Sequence, residues 1–309
     1  MSRTTIPHSA PAAHAGLDTA PIVVGVDGGP ESTAALDWAA GEARLLGRPL
    51  HLVHVHALEV TWPEVDVAPA APPAAEDAVL GQALARVTSR FGEEGTVARS
   101  VGGNAAEHLV LASASATEVV VGAPHLGLVG RALVGSTAIR VAAAAHCPVV
   151  VVRDGLPATG AGTSVVVGCD GSPTDAAALR VAFARAERLG LPLAVVHAWH
   201  LDYVAPALLV PDVELDRRLT GERARLLTEE VVARWAADHP GVEVQQQVVH
   251  GDPVHVLANA SIGAESVVVG SHGHTVLGGL LLGSVSQGLL RRAACPVVVV
   301  RPDAAGAPA

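Results

Sequence analysis

The sequence predicts an α/β protein of two tandem domains, each built on a doubly wound, five-stranded parallel sheet. The chain repeats itself: residues 22–55 align without a gap with residues 165–198 at an offset of 143, and residues 119–153 align with residues 267–301 at an offset of 148. Each half alternates short β-branched runs with longer stretches of helical periodicity. This alternation is typical of parallel strands joined by helical crossovers, so the repeat predicts one such sheet per half.

The strand candidates of the first half are short runs rich in valine. They lie at residues 22–27, 50–56, 96–101, 118–122 and 148–152. The runs VVVG and PVVVV are continuously apolar, which indicates strands buried on both faces. Asn104, three residues before Glu107, predicts a capped helix start, and so does Asp252 before a proline. Gly47 and Gly190 predict helix ends.

The repeat also gives the domain boundaries. We expect two domains at residues 21–153 and 164–302, called the first half and the second half below, with residues 154–163 as the linker. Residues 1–20, rich in alanine and proline, are a predicted disordered tail, and residues 303–309 form a second short tail. A chain of 309 residues usually divides into more than one hydrophobic core, which agrees with this division.

The composition excludes several classes of protein. All 20 residues counted as Lys plus Arg are arginines, so a lysine-containing P-loop and Schiff-base chemistry are excluded. The formal net charge of −10 disfavours nucleic acid as a partner. No apolar run approaches the ~18 residues that a membrane span requires, so no membrane association is expected. Three cysteines and the lack of an apolar leader within residues 1–20 predict a cytoplasmic protein.

Two loops of each half carry residues suited to ligand binding, because ligands of open parallel sheets bind beyond the carboxyl ends of the strands. The first loop follows strand one and contains a Gly-x-Asp-Gly sequence in both halves, formed by Gly25, Asp27 and Gly28 and by Gly168, Asp170 and Gly171. An aspartate there can accept hydrogen bonds from ribose hydroxyls, and the glycine permits a close backbone approach. A plain turn that caps the next helix is an equal alternative at this loop.

The second loop follows strand four and gives the most specific pattern in the chain. In the second half it reads GSHGHTVLGGLLLGS, with Gly270, Gly273 three residues further on, a nine-residue spacer, and then Gly283 and Ser284. Glycines expose backbone N–H groups, and a helix N-terminus adds partial positive charge. Together they can hold a polyphosphate without lysine.

At these residues the chain resembles the universal stress protein family, over residues 21–302 as two tandem copies. The resemblance implies a Rossmann-like sheet in the order 3-2-1-4-5, with ATP and Mg²⁺ bound across strands one and four. Carried over by position, the implied binding residues of the second half are Gly168, Asp170, Gly171, Gly270, Ser271, His272, Gly273, His274, Gly283, Ser284 and Val285. Those of the first half are Gly25, Asp27, Gly28, Gly122, Gly135 and Ser136.

The first half departs from the family pattern in its second loop. His125 stands where the motif has its second glycine, and Pro124 before it has no N–H to donate. A histidine is costly if the turn requires a positive φ. The departure therefore favours one competent nucleotide site per chain, in the second half.

Other polar residues have two interpretations each. His54 and His56 share one face of a predicted strand, which suits a metal, but hydrogen-bonded structural histidines are favoured because no third ligand stands at a recognised spacing. Cys169 is more consistent with a buried thiol than with a redox sensor. Ser284 is interpreted as a helix cap, since no acid is placed to orient a histidine for nucleophilic catalysis, and we identify no catalytic residue.

The resemblance implies a nucleotide-responsive regulatory or protective module of the stress response and not an enzyme. Slow ATP hydrolysis and a partner-binding protein with a decayed first site are the alternatives. Because family members associate through the last strand, we expect the two PVVVVR segments to pair the halves within one chain. A homodimer of whole chains is left open.

Overall fold

The computed structural model describes residues 20–56, 77–92, 95–124, 134–156, 159, 161–172, 175–200, 213–272 and 282–302. The first half contains β1 (Ile22–Val26), α1 (Pro30–Leu46), β2 (Leu50–His56), α2 (Ala78–Phe91), β3 (Thr96–Gly102), α3 (Ala105–Ser113), β4 (Glu118–Ala123), α4 (Ser136–Ala144) and β5 (Val149–Arg153). The second half contains β6 (Val165–Gly168), α5 (Asp175–Leu189), β7 (Leu193–Trp199), α6 (Val213–Asp238), β8 (Val244–His250), α7 (Pro253–Ala260), β9 (Ser266–Gly270), α8 (Ser284–Arg292) and β10 (Val297–Val300). All five strands predicted in the first half are present, with ends within one residue of those expected.

The ten strands form one sheet in the order β3-β2-β1-β4-β5-β10-β9-β6-β7-β8. Strands within each half are parallel, and the order 3-2-1-4-5 is as predicted. The halves meet where β5 and β10 run antiparallel, with Val150 opposite Val298 at the centre of the register. The carboxyl ends of the strands therefore lie at opposite edges of the sheet in the two halves.

Helices cover both faces of the sheet, and the core is made of small aliphatic side chains. Alternate residues of β1 point to opposite layers, so that Val24 packs under α1 and α2 whereas Val23 packs under α3 and α4. The corresponding layers of the second half are covered by α5 and α6 and by α7 and α8. Among the residues that the structure describes, no helix is both long enough and apolar enough to cross a membrane.

The predicted helix ends are confirmed. The Asn104 side chain accepts a hydrogen bond from the Glu107 N–H at 3.2 Å, and the Asp252 side chain accepts one from the His255 N–H at 3.0 Å. Gly47 and Gly190 end α1 and α5 with φ values of 60° and 62°, a left-handed conformation that glycine adopts at little cost.

Asp77 ties α2 to the sheet, a role that the sequence did not indicate. Its Oδ1 accepts hydrogen bonds from the Val79 and Leu80 N–H groups at 3.0 and 3.2 Å, which caps α2. Its Oδ2 lies 2.5 Å from Nδ1 of His54 and accepts a hydrogen bond from Oγ of Ser100 at 2.8 Å. Burial alone would raise the pKa of Asp77, but the hydrogen bonds from His54, Ser100 and Leu80 outweigh it and lower the pKa to about 2.

We expect Asp77→Asn to destabilise the protein by about 2 kcal/mol near pH 6, because the ionised carboxylate is stabilised only in the folded state. The folded pKa is below the unfolded one, so this contribution is complete above about pH 4 and is lost as the pH falls toward 2. Urea unfolding of both proteins between pH 3 and pH 6 measures the difference. A gap that stays constant down to pH 3 would contradict the assigned shift.

Candidate functional site

The first half has a cavity of about 340 Å³ at the carboxyl ends of β1 and β4. One wall is apolar and comes from β2, α3 and β4, through Val53, Val55, Leu109 and Val121. The other wall is polar and comes from the β1–α1 loop, through Asp27 and Glu31. Among the predicted residues, the lining includes Gly25, Asp27, Gly122 and Gly135. Val53, Val55 and Leu109 escaped prediction because nothing in the sequence separates a cavity wall from a core position.

The β1–α1 loop of the first half is a turn held by its own side chains. Oδ1 of Asp27 accepts a hydrogen bond from the Gly29 N–H at 2.9 Å. Oγ of Ser32 accepts one from the Asp27 N–H at 3.3 Å and donates to the Gly29 carbonyl at 3.1 Å. Gly28, with φ of 82°, occupies a conformation that favours glycine. Asp27 therefore shapes the turn while remaining exposed at the cavity mouth.

Gly122 lies at the end of β4 against the first turn of α1. A methyl group at this position would come within 2.6 Å of the carbonyl carbon and oxygen of Glu31, and within 2.8 Å of the Ser32 nitrogen. No side chain fits between the two backbones. Glycine is thus required for the close approach that closes one side of the cavity.

The matching loop of the second half contains a buried carboxylate that sequence reasoning missed. Oδ2 of Asp175 accepts hydrogen bonds from the Asp170 and Gly171 N–H groups at 2.8 and 2.7 Å, and from Sγ of Cys169 at 3.2 Å. Asp170 in turn accepts one from the Ser172 N–H at 2.9 Å. Aligning the repeats would have revealed the difference, because Asp175 stands at the position of a serine in the first half.

This arrangement changes the ionisation of the loop. Burial first, and then the neighbouring Asp170 carboxylate, raise the pKa of Asp175 to about 6. Burial and the Asp175 carboxylate also raise the pKa of the Cys169 thiol far above its usual range, so the thiolate that redox chemistry requires is strongly disfavoured. The geometry supports the interpretation of Cys169 as a buried thiol.

The loop that follows the first strand has less space around it in the second half than in the first half. In the second half, a methyl group on Gly171 would overlap Leu227 of α6, with 2.1 Å to its Cδ2. In the first half, the same position on Gly28 would leave 3.4 Å to Cγ2 of Val79, beside a smaller cavity of about 170 Å³ between α1 and α2. Helix α6 therefore covers its loop more closely than α2 does.

The two ends of the glycine-rich motif of the second half lie together. The Gly283 N–H donates to the Ser271 carbonyl at 2.8 Å, and Oγ of Ser286 donates to the Gly270 carbonyl at 2.7 Å. Nδ1 of His272 lies 3.0 Å from Oγ of Ser271. Nε2 of His272 is buried and has no hydrogen-bond partner among the residues that the structure describes. Gly273 and His274, and His125 of the first half, lie outside those residues.

The interpretation of Ser284 as a helix cap is wrong. Gly283 is the N-cap residue of α8, Ser284 is the first helical residue, and no side chain caps this end. Gly135 and Ser136 have the same arrangement at the start of α4. Glycine at the N-cap leaves the first backbone N–H groups without a side-chain acceptor, so they can face a ligand instead. The partly buried side chain of Val285 packs against the core layer that α7 and α8 cover.

His54 takes part in the Asp77 network, which gives it a structural role. Within the described ranges, no group of three or more His, Cys, Asp or Glu side chains is arranged to hold a metal ion. Cys147 and Cys295 are buried and free, each one residue before the proline that precedes the last strand of its half.

Fold and cleft together define a tandem, doubly wound α/β protein with a cleft at the carboxyl ends of strands one and four of its first half. The chain belongs to the universal stress protein family, whose model matches residues 19–153 and 163–301. It is similar to a universal stress protein of Mycolicibacterium smegmatis, with 37% identity over 289 residues, 91% of this chain and 97% of the relative.

A solved structure agrees with the fold over most of the chain. A universal stress protein of Archaeoglobus fulgidus aligns with a TM-score of 0.60 at 18% identity, covering 91% of this chain and 98% of that one. A universal stress protein solved in complex with cAMP aligns with about one half of the chain, at 25% identity and a TM-score of 0.33, covering 46% of this chain and 98% of that one.

We expect Gly122→Ala to destabilise the protein by about 1–3 kcal/mol, because the added methyl group forces α1 away from β4. Thermal unfolding measures the loss. Gly81→Ala is the matched control, since Gly81 lies on the exposed side of α2 with open space around it, and alanine there favours the helix by up to about 1 kcal/mol. Equal effects of the two substitutions would contradict the assigned close contact.

We expect Asp175→Asn to flatten the dependence of stability on pH between about 4 and 6. The folded pKa of Asp175 is above the unfolded one, so the folded protein binds the extra proton, and the contribution of Asp175 to wild-type stability falls as the pH rises through this window, by at most about 3 kcal/mol. Asparagine keeps an acceptor for the loop N–H groups without titrating. Urea unfolding at pH 4, 5 and 6.5 tests this, and parallel curves for the two proteins would contradict it.

Proposed function

We propose that this universal stress protein binds an adenine nucleotide, ATP with Mg²⁺, and acts as a nucleotide-responsive regulatory or protective module in the cytoplasm and not as an enzyme. The proposal places the competent site in the second half, at the carboxyl ends of β6 and β9. It assigns the adenosine to the Gly168–Gly171 loop and the phosphates to the segment from Gly270 to Val285, which includes Gly273 and His274.

The observation that carries the proposal is the unsatisfied hydrogen-bonding capacity of the His272 side chain. Its Nε2 atom is buried without a hydrogen-bond partner in the described part of the chain, and such an atom is costly unless a ligand satisfies it. The ring is oriented by Ser271, and the uncapped start of α8 lies beside it because Gly283 contacts the Ser271 carbonyl. A donor side chain next to free helix N–H groups suits phosphate oxygens, and it does so without lysine.

The first half supports a weaker role. Its cavity presents the carboxylates of Asp27 and Glu31 at the polar wall, and none of the described residues that line it is an arginine or a histidine. A polyphosphate there would meet negative charge without the second motif glycine, which is His125 in this half. We therefore propose one ATP per chain.

The domain boundaries are part of the same proposal. Residues 21–153 and 164–302 each carry one cleft, and residues 154–163 join them. The antiparallel register of β5 against β10 supports an intrachain pairing of the two domains, which leaves the clefts at opposite edges of the sheet. A homodimer of whole chains that keep this intrachain pairing would have to use another surface.

We expect His272→Ala to weaken Mg-ATP binding about threefold to tenfold, the effect of losing one hydrogen bond to a phosphate. Isothermal titration calorimetry should give one ATP per wild-type chain. His239→Ala is the control, because His239 lies between the end of α6 and the start of β8, at the edge of the sheet opposite the carboxyl ends of β6 and β9. This variant should bind Mg-ATP as the wild type does. No saturable binding by the wild type would refute the proposed function, and two ATP per chain would refute the assignment of one competent site.

A further inference from the structure

A buried ion cluster joins the two halves between α1 and α5. Arg185 of α5 donates two hydrogen bonds to the Glu42 carboxylate of α1, from Nη1 at 2.9 Å and from Nη2 at 3.0 Å. It donates two more to Glu265, from Nε and Nη2 at 3.0 Å each. Arg185 is 2% exposed and Glu42 is 0% exposed, so water does not screen their interaction. Each charge depends on its partner, because a single buried charge is strongly unfavourable.

The surroundings of the cluster are nearly balanced in charge. Arg188 donates to Oε1 of Glu42 at 2.9 Å, and Glu118 lies 3.9 Å from Nη1 of Arg185. Burial, and then the Glu42 carboxylate, raise the pKa of Glu118 to about 8, so this third acid is protonated at neutral pH. The guanidinium of Arg185 also lies 4.8 Å from the Trp38 ring centre. Two arginines therefore face two ionised carboxylates.

Glu42 and Arg185 occupy equivalent positions in the two copies of the repeat. The offset of 143 that aligns the halves maps residue 42 onto residue 185. The strands show the same relation, because Val150 pairs with Val298 and the offset of 148 maps one onto the other. The contact between Glu42 and Arg185 therefore lies on the pseudo-twofold axis that relates the halves. On such an axis each position faces its own equivalent.

The seam contacts outside the ion cluster that involve Arg153, Arg301 and the valine strands do not distinguish the halves. Arg153 donates to the Arg291 carbonyl at the end of α8, and Arg301 donates to the Ala144 carbonyl at the end of α4. Arg153 and Arg301 are also equivalent by the offset of 148, and the valines of β5 and β10 are alike. These contacts would form equally well between two first halves or two second halves.

We propose that the Glu42/Arg185 difference is a pairing code, which makes the first half accept only a second half across this seam. A pair of first halves would bury Glu42 against Glu42 without the arginines that neutralise it, since Leu45 stands at the position equivalent to Arg188. A pair of second halves would bring together two copies each of Arg185 and Arg188, with only the two Glu265 carboxylates to offset them. Both arrangements are repulsive in a site without water. A second copy of the chain can therefore join through this seam only by exchanging halves.

The test uses two full-length chains with different affinity tags, one carrying Glu42→Arg and the other Arg185→Glu. Within either chain the seam now buries two like charges. In a two-chain species that exchanges halves, each seam regains one glutamate opposite one arginine, with the same net charge as wild type. We expect co-expression to yield at least about tenfold more two-chain species than co-expressed, differently tagged wild-type chains. Tandem affinity purification and light scattering measure the yield.

The chain that carries both substitutions is the folding control, and we expect it to be a soluble single-chain species with an unfolding midpoint above those of both single variants. If the single variants are insoluble alone, their recovery on co-expression supports the code. The code is refuted if the co-expressed pair gives no more two-chain species than wild type, or stays insoluble while the doubly substituted chain folds.

Discussion

The structure depends on the pairing of two valine strands. β5 and β10 are buried on both faces, so either one alone would present a row of backbone N–H and C=O groups in an apolar setting. Antiparallel pairing satisfies these groups and joins two five-stranded sheets into one. The position of this seam then determines two further features. Helices α1 and α5 meet across it, and the carboxyl ends of the strands of the two halves lie at opposite edges of the sheet.

Much of the fold could be predicted because the information is local or repeated. Continuous valine runs indicated strands buried on both faces, Asn104 and Asp252 indicated helix starts, and the fixed offsets indicated two similar domains. The ion cluster was beyond prediction, because Glu42 and Arg185 become neighbours only once the seam is formed. The Ser284 cap was predicted wrongly, because the sequence does not show whether a Gly-Ser pair starts its helix at the glycine or at the serine.

The glycine pattern predicted which loops form the candidate site, but it did not predict which charged side chains surround them. The glycines indicated where two backbones approach each other closely, since Gly122 permits a backbone contact that no other residue allows. The glycine pattern does not specify which charged side chains lie near these loops. Glu31 faces the cleft of the first half, whereas Asp175 turns inward in the second half and is bound by loop N–H groups. The equivalent loops of the two halves thus place their carboxylates differently, although the glycine pattern is the same.

The axial position of Glu42 and Arg185 also bears on how the gene can change. Recombination between the repeats, which copies one half over the other, would convert the opposed pair into two glutamates or two arginines in a site without water. Such a chain would lose stability at once, whereas independent drift at other positions would not. Selection for a stable fold therefore opposes such copying at this position, so the two halves keep different sequences there.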